Sequence, residues 1–219
     1  MWADFADLKK DLKFEIPKIY PITDVRMSGI SHTEQTKRLI EGGARIVQFR
    51  EKHAAPLDWF DDARTAVNVC RQNNVISIVN DRADIALAIG ADGVHLGQTD
   101  LPPDAARRIL GEQTIIGYST HTVEQVRQAL KFDIDYLAFG PIFSTTTKED
   151  PDQVVGLETL ARVRMIADGL PLVAIGGIDL GNAVSVFAAG ADSIAVISAL
   201  ITDGSFITDR TREFIREFV

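Results

Sequence analysis

Short apolar runs alternate with amphipathic stretches along the whole chain. The runs predict strands at Ile19–Thr23, Arg45–Phe49, Val75–Asn80, Gly93–Leu96, Thr114–Tyr118, Tyr136–Gly140, Leu172–Gly176 and Ser193–Ser198. Between them apolar residues recur at helical spacing, as in Phe60, Ala63 and Val67, in Val123, Val126 and Leu130, and in Leu157, Leu160 and Val163. Strict alternation of strand and helix with short connections demands a parallel sheet. Eight strands in 219 residues leave about 27 residues per βα unit, which suits a compact barrel.

An internal repeat sharpens the choice of fold. Gly43-Ala44-Arg45-Ile46-Val47 recurs as Gly90-Ala91-Asp92-Gly93-Val94 and as Gly190-Ala191-Asp192-Ser193-Ile194, with a weaker copy at Phe132-Asp133-Ile134-Asp135-Tyr136. Each copy reads as a helix end followed by a strand. The first two copies lie 47 residues apart, or two βα units, a period that suits a closed eightfold ring. Met1–Ile16 reads as an extra helix ahead of the first strand, and no linker divides the chain. The expectation is an α/β protein, a single (β/α)₈ TIM-barrel domain over residues 1–219 with an added N-terminal helix.

Composition narrows the function classes. Apolar residues make up 46% of the chain, enough for a sizeable core. A net charge of −8 argues against a non-specific nucleic-acid binder, which needs a basic face. One cysteine, Cys70, excludes an internal disulfide and a multi-thiolate zinc site, and packing is its expected role. Trp59 and Phe60 likewise read as helix-to-barrel packing. Met1–Lys13 is studded with Asp and Lys and lacks a signal-peptide core. The uncharged runs fall well short of the ~20 residues of a membrane span. The expected setting is the cytoplasm, with small molecules rather than nucleic acid or membrane as partners.

Active sites of such barrels lie at the C-terminal ends of the strands. Strand two runs out through Gln48, Arg50 and Lys52, which period-two alternation sets on the face opposite Val47 and Phe49. Two cations and an amide aimed into the mouth suit an anion; the alternative is a solvated strand end paired with Glu51. Asn80-Asp81 and Gln98-Thr99-Asp100 close strands three and four. Asp81 and Asp100 are a hard-oxygen pair suited to Mg²⁺, or else helix caps. Ile175-Gly176-Gly177-Ile178 and Ile197-Ser198-Ala199, after strands seven and eight, lie where barrels often hold a phosphate; a tight turn explains the glycines equally. Thr145-Thr146-Thr147-Lys148, after strand six, reads as an anion-binding lid, or else as one of the hydroxyl-rich loops common at protein surfaces. Among the histidines, His95 reads as a hydrogen-bonded core residue, while His121 and Ser119 stand at the mouth.

Taken together, Gln48-Phe49-Arg50-Glu51-Lys52, Ile78-Val79-Asn80-Asp81-Arg82, Gly93-Val94-His95-Leu96-Gly97-Gln98-Thr99-Asp100, Gly140-Pro141-Ile142-Phe143, Thr145-Thr146-Thr147-Lys148, Ala174-Ile175-Gly176-Gly177-Ile178 and Val196-Ile197-Ser198 resemble the thiamine-phosphate synthase family. The resemblance covers roughly Ile19 to Leu200. It implies a transferase joining 4-amino-2-methyl-5-hydroxymethylpyrimidine diphosphate to 4-methyl-5-(2-phosphoethyl)thiazole, with release of pyrophosphate. By motif, Gln48, Arg50, Lys52, Asn80 and Lys148 would hold the pyrimidine diphosphate, and Ser119 would contact the reacting pyrimidine. Asp81 and Asp100 would bind Mg²⁺. Thr145, Thr147, Gly177, Ile197 and Ser198 would bind the thiazole phosphate. The resemblance further implies that Arg50, Ser119 and Lys148 act in catalysis, and that pyrophosphate leaves before the thiazole nitrogen attacks, with no protein nucleophile.

Three positions depart from the family pattern. Ser144 stands where proline is usual, His53 where Asn or Asp is usual, and Tyr118 replaces a small aliphatic residue beside Ser119, where its ring could narrow the pyrimidine pocket. A sister thiazole tautomerase would use His121 as its acid–base residue, but it has no pyrophosphate to expel. The set Asn80, Asp81, Asp100 and Thr145–Lys148 weighs against it. A barrel that only senses a phosphorylated thiazole would bind without turnover.

Overall fold

The computed structural model describes residues 15–145 and 152–219. Eight parallel strands close into a barrel in sequence order: β1 (Ile19–Thr23), β2 (Ile46–Phe49), β3 (Ile76–Asn80), β4 (Gly93–Leu96), β5 (Ile115–Thr120), β6 (Tyr136–Phe139), β7 (Leu172–Ile175) and β8 (Ser193–Val196). The ring shuts where Ile19 of β1 pairs with Ile194 of β8. The sequence places every strand to within about two residues; the main difference is β5, which runs on through Ser119 and Thr120.

Helices α1 (Val25–Ser28), α2 (His32–Glu41), α3 (Pro56–Gln72), α4 (Ala83–Ile89), α5 (Pro103–Leu110), α6 (Val123–Ala129), α7 (Gly156–Ile166), α8 (Ala183–Ala188), α9 (Ser198–Ile201) and α10 (Ile207–Phe218) lie among the strands and after them. The expected N-terminal helix falls mostly on residues 1–14, outside the described residues; Glu15 and Ile16, at its end, have no regular structure.

Alternation along each strand divides the core in two. Val47, Phe49, Val79 and Leu137 face outward into the layer beneath the helices, where Ala63, Val67, Cys70, Val126, Leu160 and Val163 meet them. Tyr20, Ile22, Ile46, Ile78, Tyr136, Ala138, Val173 and Ala195 point inward and fill the barrel. Cys70 is fully buried, and Trp59 packs on the His32 ring, so both take the packing roles expected of them.

Three of the four copies of the two-unit repeat share a physical tie, while the copy before β2 has Arg45 at that position. The Asp92 carboxylate accepts the Ser77 amide at 2.9 Å, Asp135 accepts that of Ile116 at 2.7 Å, and Asp192 that of Leu172 at 2.8 Å. Each aspartate precedes an even-numbered strand and ties down the start of the odd-numbered strand before it. Because side chains alternate around a barrel in two layers, the same tie recurs every second unit.

Candidate active site

A cavity of about 390 Å³ opens at the C-terminal ends of the strands. It brings together Gln48, Arg50, Lys52, Asn80, Asp81, Asp100, Ser119, Thr145, Gly177, Ile197 and Ser198, all named from the sequence. Thr147 and Lys148 lie outside the described residues.

One wall is charged. The Arg50 guanidinium is paired with Asp24, the residue just past β1, and the Lys52 ammonium with Asp81. Glu51 partners neither cation; its carboxylate accepts the amides of His53 at 2.9 Å and Ala54 at 3.0 Å. The cations are thus held at the mouth by carboxylates from other strands, and Asp24 is a member of the site that the sequence did not reveal.

The two candidate metal ligands cap no helix. The residues leading into α4 and α5 are Arg82 and Pro102, and neither makes a side-chain cap. Asp100 instead folds back to accept the Gly97 amide at 2.6 Å. Burial, and after it the neighbouring Asp81 carboxylate, raises the Asp100 carboxyl above the usual range. Asp81 sits at φ +63°, a left-handed conformation uncommon outside glycine. Backbone outliers of this kind cluster at functional sites. Close by, the Asn80 Nδ2 donor is buried without a hydrogen-bond partner. Two crowded carboxylates favour a hard cation, and Mg²⁺ commonly takes one or two carboxylates with substrate phosphate oxygens completing its shell. The donor set therefore fits Mg²⁺.

The opposite wall carries Gly176 and Gly177, at φ +101° and +64°. A Cβ on Gly177 would overlap the Ser144 carbonyl, and one on Gly176 the Pro141 ring. The glycines therefore let the loop after β7 lie against the loop after β6, where Phe143 N–H donates to the Gly176 carbonyl at 3.0 Å. Close packing already requires glycine here, whether or not a phosphate approaches the same backbone. His121 lines this side; its Nδ1 meets the Gly140 carbonyl at 2.7 Å and its Nε2 lies 3.5 Å from the Asp152 carboxylate.

The floor holds a polar chain that sequence reasoning missed. Gln48 Nε2 donates to Tyr20 Oη at 3.0 Å, Tyr20 Oη meets Tyr136 Oη at 2.8 Å, Tyr136 Oη meets His95 Nδ1 at 2.9 Å, and His95 Nε2 meets Ser119 Oγ at 2.8 Å. Burial pushes the His95 ring down to about 4 and raises both phenols, so all three rings are neutral near pH 7. His95 is the hydrogen-bonded core residue expected, and it also lines the cavity. The two tyrosines are legible in hindsight as polar-tipped aromatics at inward strand positions. Tyr118 corrects an expectation: its ring turns outward, edge-on to Phe132 at 5.8 Å, and does not narrow the cavity.

A family profile described as thiamine monophosphate synthase matches residues 19–200. The thiamine-phosphate synthase of Chloroflexus aurantiacus is 45% identical over 185 residues, covering 84% of this chain and 85% of that protein. That of Koribacter versatilis is 42% identical over 207 residues, covering 92% and 96%. The structure of thiamine phosphate pyrophosphorylase from Pyrococcus furiosus superposes with a TM-score of 0.80 at 37% identity, over 91% of this chain and 96% of that one. A profile that spans most of the chain, and relatives this similar over nearly their full length, place it: the chain belongs to the thiamine monophosphate synthase family, enzymes of thiamine biosynthesis.

Proposed function

We propose that the chain transfers the pyrimidine-methyl group of 4-amino-2-methyl-5-hydroxymethylpyrimidine diphosphate to the ring nitrogen of 4-methyl-5-(2-phosphoethyl)thiazole. The products are thiamine phosphate and pyrophosphate. The observation that carries the reading is the asymmetry of the cavity. One wall gathers Arg50, Lys52, Asn80, Asp81 and Asp100, while the other offers Gly177, Ile197 and Ser198 beside Thr145.

Arg50 and Lys52 hold the diphosphate, and the unpartnered Asn80 Nδ2 supplies a further donor to its oxygens. Asp81 and Asp100 would hold Mg²⁺, which when bound neutralises negative charge growing on the leaving group. The carbon–oxygen bond breaks with its electron pair going to pyrophosphate, and the aminopyrimidine spreads the positive charge left on the methylene. The thiazole nitrogen lone pair then closes the new carbon–nitrogen bond. No proton and no protein nucleophile enter the balance; the chain binds, orients and stabilises charge. Ser119 orients the pyrimidine over the floor. Thr147 and Lys148 complete the two anion sites by family resemblance, Lys148 as a donor to the departing diphosphate.

The test is direct. Purified protein is incubated with both substrates and Mg²⁺, and thiamine phosphate and pyrophosphate are quantified together. Equimolar appearance of both is expected; binding of the thiazole phosphate without turnover would overturn the reading.

A further inference from the structure

The barrel floor offers more than packing. Gly117 of β5 pairs laterally with His95 on one side and Tyr136 on the other. A Cβ on Gly117 would overlap the Tyr136 ring, so glycine opens a slot across which the two rings stack, 5.5 Å between centroids and 19° from parallel. From across the barrel Tyr20 meets Tyr136 edge-on at 5.8 Å. His95, Tyr20 and Tyr136 are all at most 7% exposed, and their polar atoms meet one another largely away from bulk water.

Donor counting gives the chain a direction. Gln48 Nε2 donates to Tyr20 Oη, so the Tyr20 proton is free for Tyr136 Oη. If Tyr136 accepts from Tyr20, its own proton is left for His95 Nδ1, 2.9 Å away. A neutral imidazole that accepts at Nδ1 carries its proton at Nε2, which faces Ser119 Oγ. Ser119 then accepts from the ring and has its hydroxyl proton left over. Its backbone carbonyl is fixed separately, by Gln98 Nε2 at 2.6 Å.

We propose that Tyr20, Tyr136 and His95 are positioning residues that fix the direction of the Ser119 hydroxyl, keeping its proton for an acceptor on the bound pyrimidine. The inference rests on the transferase reading for the identity of that acceptor, but the direction of the chain does not. Without the Tyr136 hydroxyl neither imidazole tautomer is enforced, and in one of them Ser119 donates to the ring and is lost to the substrate.

The experiment has two arms on the full-length protein. In the first, ¹⁵N-histidine NMR of the ligand-free wild type, assigned through His95→Gln, reads which ring nitrogen carries the proton. Protonated Nε2 with bare, hydrogen-bonded Nδ1 is expected; protonated Nδ1 reverses the chain and overturns the proposal. In the second, single-turnover rates are measured for Ser119→Ala, Tyr136→Phe and the double variant. Tyr136→Phe keeps its ring, so the slot stays filled. Loss of one oriented hydrogen bond should lower its rate about tenfold, with KM for the pyrimidine less affected. The double variant should be no slower than Ser119→Ala alone, because both changes remove the same interaction. Multiplicative losses would show a merely structural tyrosine and overturn the proposal. A protein without transferase activity would sink the proposed function while leaving the tautomer result to stand by itself.

Discussion

Replacing His95 with glutamine removes a titratable ring from the barrel floor and leaves a polar side chain in its place. In the wild type the ring is held at about 4 against an ordinary value of 6.5. Burial is the leading cause, opposed by the Asp100 carboxylate and assisted by the Lys52 ammonium. Between those two values the unfolded chain binds a proton that the native protein refuses, so native stability must fall as the pH is lowered. The contribution of the neutral ring is whole above pH 6.5 and is lost as the pH falls toward about 4. At about 1.4 kcal/mol per pH unit the full loss is about 3 kcal/mol. Urea unfolding of wild type and His95→Gln, in Mg²⁺-free buffer from about pH 7.5 to about pH 4.5, measures the term as a difference. The remaining titratable groups are present in both proteins and largely cancel, and any fixed cost of the glutamine is independent of pH. The wild type should lose about 2–3 kcal/mol relative to the variant across that range. A gap constant to within about 0.5 kcal/mol would refute the buried neutral ring.

Three further outcomes are expected. Asp81→Asn, which tolerates the left-handed backbone there, and Asp100→Asn, which keeps an acceptor for the Gly97 amide, should each cut activity steeply and raise the Mg²⁺ concentration needed, with stability changed by less than about 1 kcal/mol; full activity at limiting Mg²⁺ would sink the metal assignment. Arg50→Ala should raise KM chiefly for the pyrimidine diphosphate and Ser198→Ala chiefly for the thiazole phosphate; impairment of the same substrate by both would refute the two-wall division. Asp135→Ala strips an acceptor from the Ile116 amide and from the buried Arg107, at 2.7 and 2.9 Å, and should cost about 2–4 kcal/mol in urea unfolding, with Asp135→Asn milder; a loss below about 0.5 kcal/mol would show that the repeat carries no tie.

The sequence by itself determined the barrel, because eight apolar runs at even spacing admit few other closures and each strand's period of two is written in its residues. It also determined the residues along the cavity, since inward positions at strand ends, such as Arg50 and Ser119, can be counted from the pattern. What it did not contain was who partners whom across the ring. Arg50, just past β2, finds Asp24, just past β1, rather than the adjacent Glu51. Neighbours in sequence at an extended strand end point to opposite sides, while the ends of adjacent strands lie side by side. Tyr118, whose ring could have narrowed the cavity, lies outside it for the same reason: Ser119 beside it points inward, so Tyr118 must face the helices. Gly177 carried a phosphate reading in the sequence, and only the approach of Ser144 showed that packing alone forbids a side chain there. The floor chain from Gln48 to Ser119 draws on five strands, β1, β2, β4, β5 and β6, and closes only when the barrel does. Local pattern fixes which way a side chain points; the partner it meets there is set by ring closure and register, which no single segment encodes.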